Sequence, residues 1–108
     1  MGYSTHFYLK DIIIPKDSKF TKVQIKKDIR KDDWGFGFYE INTEEPRKWY
    51  DFKRDMKNFS LKYKDVLFKT YGEGEENGDI WYRYFKNGKM QECFAKVVFE
   101  VYDESKLV

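Results

Sequence analysis

The sequence predicts an α+β fold: an antiparallel sheet of about five to six strands with one main amphipathic helix packed on one face. Three observations carry this. Several short runs place apolar residues at every second position, the period of a half-buried strand. One stretch instead places them three and four apart, the period of a helix face. Asn87-Gly88 sits between two alternating runs, and this pair favours the positive φ that both central positions of a type I′ hairpin turn need. A helix with one apolar stripe and a sheet with one apolar face bury each other. The 108 residues read as a single domain, 1–108.

Tyr3 to Ile14 is expected as the first strand, irregular near Lys10-Asp11. Phe20 to Ile29 is read as the second. There Thr21, Val23, Ile25 and Ile29 face one way and Lys22, Gln24, Lys26 and Asp28 the other. Asp32-Asp33-Trp34-Gly35 is turn chemistry, and Phe36 to Ile41 a short strand. The helix is expected from about Glu44 to Lys62. Thr43 can cap it, Glu44 and Glu45 complement the positive end of its dipole, and Pro46 is tolerated in the first turn. Trp49, Phe52, Met56, Phe59 and Tyr63 form its apolar stripe. Asp65 to Tyr71, Ile80 to Phe85 and Met90 to Tyr102 are the closing strands, with the acidic turn Gly72 to Gly78 after the first of them. In the last strand Cys93, Ala95, Val97, Phe99 and Val101 share an apolar face.

Composition narrows the class. Aromatic residues make up 20% of the chain, which supplies the apolar area that a disordered chain lacks. Twenty-one basic residues against nineteen acidic ones argue against a dedicated non-specific nucleic-acid binder, which carries a clear basic excess. The distribution is less even: seven basic and two acidic residues lie between Lys16 and Lys31, and four acidic and no basic ones between Gly72 and Asp79. The single cysteine, Cys93, cannot form an intrachain disulfide and suits a reducing compartment. Residues 1–15 lack a signal-peptide layout, and no run approaches the roughly 20 apolar residues that span a bilayer. The expected location is the cytoplasm, with no membrane partner.

Each chemical motif has a plainer explanation. Glu73, Glu75, Glu76 and Asp79 could offer oxygen to a cation, but their spacing does not match an EF-hand. They read as a solvated turn or an acidic contact for a basic partner. The glycines of that turn precede a strand rather than a helix, which removes a phosphate loop. Cys93 and His6 lack an orienting carboxylate and cannot supply a zinc set. No catalytic residue, metal or cofactor is assigned, and the chain is expected not to be an enzyme. Lys19, Lys22, Lys26, Lys27, Arg30 and Lys31 form a basic ribbon that could contact nucleic acid. Equally, lysines on a solvent face protect an edge strand.

Three segments together carry a resemblance. KWYDFKRDM (Lys48 to Met56), LKYKDVLF (Leu61 to Phe68) and GEGEENGDIWYRYFKNGKMQ (Gly72 to Gln91) resemble small uncharacterised phage and mobile-element proteins with a helix-plus-sheet layout related to ferredoxin-like folds. That resemblance covers about Lys48 to Leu107 and implies a role by analogy with proteins that bind a host protein, including anti-CRISPR inhibitors of defence nucleases. The leading expectation is therefore a non-enzymatic protein-binding module, an inhibitor of a host defence system by that analogy. Trp34, Trp81, Tyr82 and Arg83 are its candidate anchors, beside Glu73, Glu75, Glu76 and Asp79. Trp81 and Tyr82 are neighbours on a strand, so one of them must face the core. The alternative is a nucleic-acid binder using the basic strand 19–31. A homodimer is left open.

Overall fold

The computed structural model describes residues 3–31 and 48–108. Strand β1 spans Thr5–Ile13, helix α1 Lys22–Lys31 and helix α2 Phe52–Ser60, the last running into a 3-10 turn at Leu61–Tyr63. Strands β2 (Leu67–Gly74), β3 (Ile80–Lys86) and β4 (Lys89–Phe94) follow, and a second 3-10 turn occupies Glu104–Lys106. The four strands form one antiparallel sheet in the order β1-β2-β3-β4. The α+β architecture agrees with the sequence; the strand count among the described residues is four. The expected turn at Asp32–Gly35, the strand Phe36 to Ile41 and the helix start at Thr43 to Pro46 lie outside the described residues, as does Trp34.

The largest correction concerns the strand expected from Phe20 to Ile29: Lys22–Lys31 is helix. Ile25 and Ile29 are fully buried, while Val23 is 63% exposed. A strand would have put Val23 on the face of Ile25, whereas a helix puts Ile25 and Ile29 together and turns Val23 away. The start is fixed by a reciprocal cap. Thr21 Oγ1 accepts from the Gln24 N–H and Gln24 Oε1 accepts from the Thr21 N–H, each at 3.2 Å, which satisfies two backbone donors near the helix start. Phe20, just before the cap, packs on the core, where a hydrophobic staple belongs. Arg30 and Lys31 close the helix at its negative end.

Helix α2 begins at Phe52, later than expected, with Trp49 packed half-buried on the approach. Trp49 Nε1 donates to Asp55 Oδ2 at 2.8 Å. The predicted stripe is otherwise intact: Phe52, Met56, Phe59 and Tyr63 are all buried. Phe52 lies 4.8 Å from Phe7 and 5.5 Å from Phe85, ring centre to ring centre, and Phe59 lies 5.6 Å from Phe68. One ring-rich layer thus joins the helices to a single face of the sheet. Tyr63 Oη donates to Asp28 Oδ2 at 2.7 Å and ties α1 to this layer. Ser60, fully buried, donates to the Lys57 carbonyl and accepts from the Gly88 N–H at 2.8 Å.

The expected irregularity near Lys10-Asp11 is a β-bulge: Leu9 pairs with Thr70 and Asp11 with Lys69, so Lys10 is the extra residue. One added residue reverses the alternation. That is why Phe7 and Leu9 point inward and so does Ile12, only 2% exposed. Strand β2 starts two residues later than expected and continues to Gly74, where only Gly72 lets the Trp81 indole lie against the backbone. The last strand is shorter than expected. Trp81 pairs with Phe94, the Ala95 N–H still reaches the Ile80 carbonyl at 2.9 Å, and there β3 begins. Among the described residues, 96–102 have no neighbouring strand to pair with, and high β propensity does not make a ladder alone.

Candidate functional site

Because the helices pack on one face, the register fixes what the other face carries. Residues directly opposite one another in an antiparallel pair share a side. Among the described residues this other face is left open, and its central row is Tyr8, Tyr71, Tyr82 and Cys93, one residue from each strand. The next row holds Lys69, Tyr84 and Gln91, and His6, Glu73 and Ile80 form the row on the other side. No described helix covers these side chains.

The tyrosines form a ladder. Ring centres are 5.6 Å apart from Tyr8 to Tyr71, 5.3 Å from Tyr71 to Tyr82 and 6.4 Å from Tyr82 to Tyr84, with tilted planes. Lysines stand over the rings: Lys69 Nζ is 4.5 Å from the Tyr82 centre and 5.9 Å from that of Tyr84, and Lys10 Nζ is 5.5 Å from that of Tyr71. Such cation–π contacts, worth about 0.5–1 kcal/mol each at exposed sites, hold flexible side chains in place. Lys10 follows Tyr8 by two and shares its face, and the bulge adds Asp11, opposite Lys69, to the same side. Burial, and then the hydrogen bond to Glu73, push the Tyr71 hydroxyl above its ordinary range.

The candidates read from the sequence divide between the two faces. Tyr82 is on the ladder. Trp81, the neighbour that had to face the core, is 3% exposed and is not a surface anchor. Arg83 also points to the helix side, its guanidinium 3.9 Å from the Trp81 ring centre. Its Nε donates to Glu92 Oε2 at 3.0 Å, and Lys53 Nζ reaches the same carboxylate at 3.3 Å. Burial raises the Glu92 pKa, but the bond and charge of Arg83, then those of Lys53, outweigh it and hold the carboxyl below its usual range. Arg83, Lys53, Asp79 and Tyr3 border a cleft of about 360 Å³ beside this cluster.

The acidic residues do not act as a unit. Glu73 belongs to the open face. Asp79 accepts from the Tyr3 hydroxyl, the Ser4 N–H donates to Glu75 Oε1 at 2.9 Å, and the Glu76 N–H donates to Tyr3 Oη at 3.0 Å. The turn therefore staples the approach to β1 onto the β2–β3 hairpin. Among the described residues, no three His, Cys, Asp or Glu side chains gather as metal ligands.

Cys93 is not on an apolar strand face; it ends the tyrosine row and is partly exposed. The basic ribbon is helical. Lys22 reaches Asp11 at 3.4 Å, while Lys26, Lys27, Arg30 and Lys31 are exposed on α1, and Lys19 is exposed just before it. Sequence reasoning missed Tyr8, Tyr71, Tyr84, Lys10 and Lys69. The signal lay in the two-residue spacings Lys69/Tyr71 and Tyr82/Tyr84, but only the register aligns them across strands.

No protein-family model, curated protein or solved structure matches this chain. No described helix is long and apolar enough to cross a membrane.

Proposed function

We propose that this chain is a non-enzymatic binding module that grips a partner protein with the open face of its sheet. The carrying observation is the tyrosine ladder Tyr8, Tyr71, Tyr82 and Tyr84 with Lys10 and Lys69 standing on it. Tyrosine offers large, stiff contact area with a polar tip, and is enriched among residues that dominate binding energy. The two lysines favour a partner surface with carboxylates at its rim. The phage resemblance adds the class of partner: a host protein, with a defence component such as a CRISPR-Cas effector as the inhibitor reading.

A second reading, single-stranded nucleic acid, is favoured by rings beside positive charge on one sheet face and by the exposed lysines of α1. Ring geometry ranks it second. The planes of Tyr71 and Tyr82 are tilted 51° to each other, and ammonium groups occupy ring faces, so a base would first have to displace them.

The test compares wild type with Tyr71→Ala/Tyr82→Ala in capture from a bacterial lysate and then in titration against the purified partner. Binding should weaken by about 100-fold, as two truncated anchors imply. A partner held equally by both proteins would refute the site. Titration with an oligonucleotide pool separates the second reading: affinity should then fall steeply with salt.

A further inference from the structure

The segment that follows β4 is an exposed, apolar arm. Val97 is 75% exposed, Val98 84%, Phe99 86% and Val101 89%. The run FAKVVFEVY (Phe94 to Tyr102) has neither glycine nor proline and is rich in β-branched and aromatic residues that favour strands. Among the described residues no strand is left for it to pair with, since β3 is exhausted at Ile80. None of the side chains from Ala95 to Tyr102 joins the core of the described residues either.

We propose that the arm of one copy pairs antiparallel with the arm of a second copy, about a two-fold axis at Val98. The sequence is self-complementary in that register. Lys96 lies opposite Glu100 of the second copy, and Glu100 opposite Lys96, so both charges are matched. Val97 lies opposite Phe99, Ala95 opposite Val101, Phe94 opposite Tyr102 and Val98 opposite Val98. Aromatic, aliphatic and opposite-charge pairs are the favourable cross-strand pairs, and a two-fold contact requires this reciprocity. A shift of two residues about the axis would instead place Lys96 opposite Lys96. Positions 95, 97, 99 and 101 then form one wholly apolar face of the ribbon. Glu100 meets the exposed Lys106 at 3.6 Å, a weak contact that pairing with Lys96 of the second copy would replace. The inference does not depend on the tyrosine face.

The test is a charge exchange on the full chain, read by sedimentation over a concentration series. Wild type should form a dimer. Lys96→Glu alone and Glu100→Lys alone each set like charges opposite one another twice, and should weaken dimerisation by about tenfold or more. An equimolar mixture of K96E and E100K should recover wild-type affinity as a mixed dimer. Val98→Cys in a Cys93→Ala background should cross-link two copies on oxidation, because facing Cα atoms of an antiparallel pair are roughly 4.5–5.5 Å apart. Leu107→Cys in the same background should not. A monomer at all concentrations overturns the proposal. So does a dimer that is indifferent to both charge variants, or one that cross-links at 107 and not at 98.

Discussion

Replacing Tyr63 by phenylalanine removes one oxygen atom and isolates one of the bonds that tie α1 to the rest of the molecule. Tyr63 Oη donates to Asp28 Oδ2 at 2.7 Å, while its ring packs edge-on against Phe20 at 4.8 Å. Tyr63→Phe keeps the ring and loses the bond. Hydrogen bonds to charged groups contribute roughly 1.5–3 kcal/mol. Asp28 is 27% exposed and is also approached by Lys62 at 3.8 Å, so the lower end applies: about 1.5 kcal/mol. For a fold of this size that lowers Tm by roughly 6–12 °C. Chemical denaturation at pH 7 measures it, and a double-mutant cycle with Asp28→Asn assigns the loss to the pair. The pH dependence is a second readout. Burial, then the Asp28 bond, push the Tyr63 hydroxyl from 10.0 up to about 12. The folded state therefore favours the neutral phenol. Its contribution is intact below pH 10 and is lost as pH rises toward 12. The stability gap between wild type and Tyr63→Phe should narrow over that window. Equal stability at pH 7, or no coupling to Asp28→Asn, would show that the bond does not secure α1.

Three further predictions follow from packing and charge. Gly72→Ala drives a methyl group into the Trp81 indole, whereas Gly78→Ala meets open space at φ +85°. Urea midpoints should show losses of about 3 kcal/mol for the first and about 1–2 kcal/mol for the second; the reverse order would contradict the packing. Thr21→Ala should cost about 1 kcal/mol with loss of helical circular dichroism, and Val23→Ala less than about 0.5 kcal/mol. A large cost at Val23 would return residues 20–29 to a buried strand. Stability supplied by Glu92 is complete above its ordinary pKa of 4.5 and is lost as pH falls through the lower folded value. Glu92→Gln should remove that acid limb and cost about 2 kcal/mol at pH 7, because Arg83 keeps its charge and loses its carboxylate; an unchanged acid limb would remove Glu92 as its source.

Much of the fold was legible where one period was unambiguous. Phe52, Met56, Phe59 and Tyr63 admit only a helix, and Asn87-Gly88 only a tight hairpin; Asn87 has φ 50° and Gly88 φ 75°. Residues 20–31 were ambiguous because Ile25 and Ile29, four apart, satisfy both periods. The deciding signal was local and polar: Thr21 and Gln24 are spaced as a capping box. The closing strand was overextended because alternation continues past Phe94, while strand length is set by the neighbour, and β3 stops at Ile80. The candidate site was only partly readable. That Trp81 and Tyr82 face opposite ways followed from the sequence, but which of them faces inward depended on the helix position. The ladder itself is a property of register: Tyr8 and Tyr71 are 63 positions apart in the sequence and become neighbours only when β1 pairs with β2.

The Ser60 hydroxyl makes the β3–β4 turn a reporter on the helix. Amide protons at a two-residue turn apex ordinarily exchange with solvent at nearly the rate of an unfolded peptide. The Gly88 N–H donates instead to a fully buried oxygen at the end of α2, so it can exchange only when the helix end separates from the hairpin. In deuterium exchange, Gly88 should therefore be slow while the neighbouring Asn87 is fast, and its protection should follow that of the α2 amides through any destabilising change. A single peak in a two-dimensional amide spectrum would thus time the undocking of the helix from the sheet.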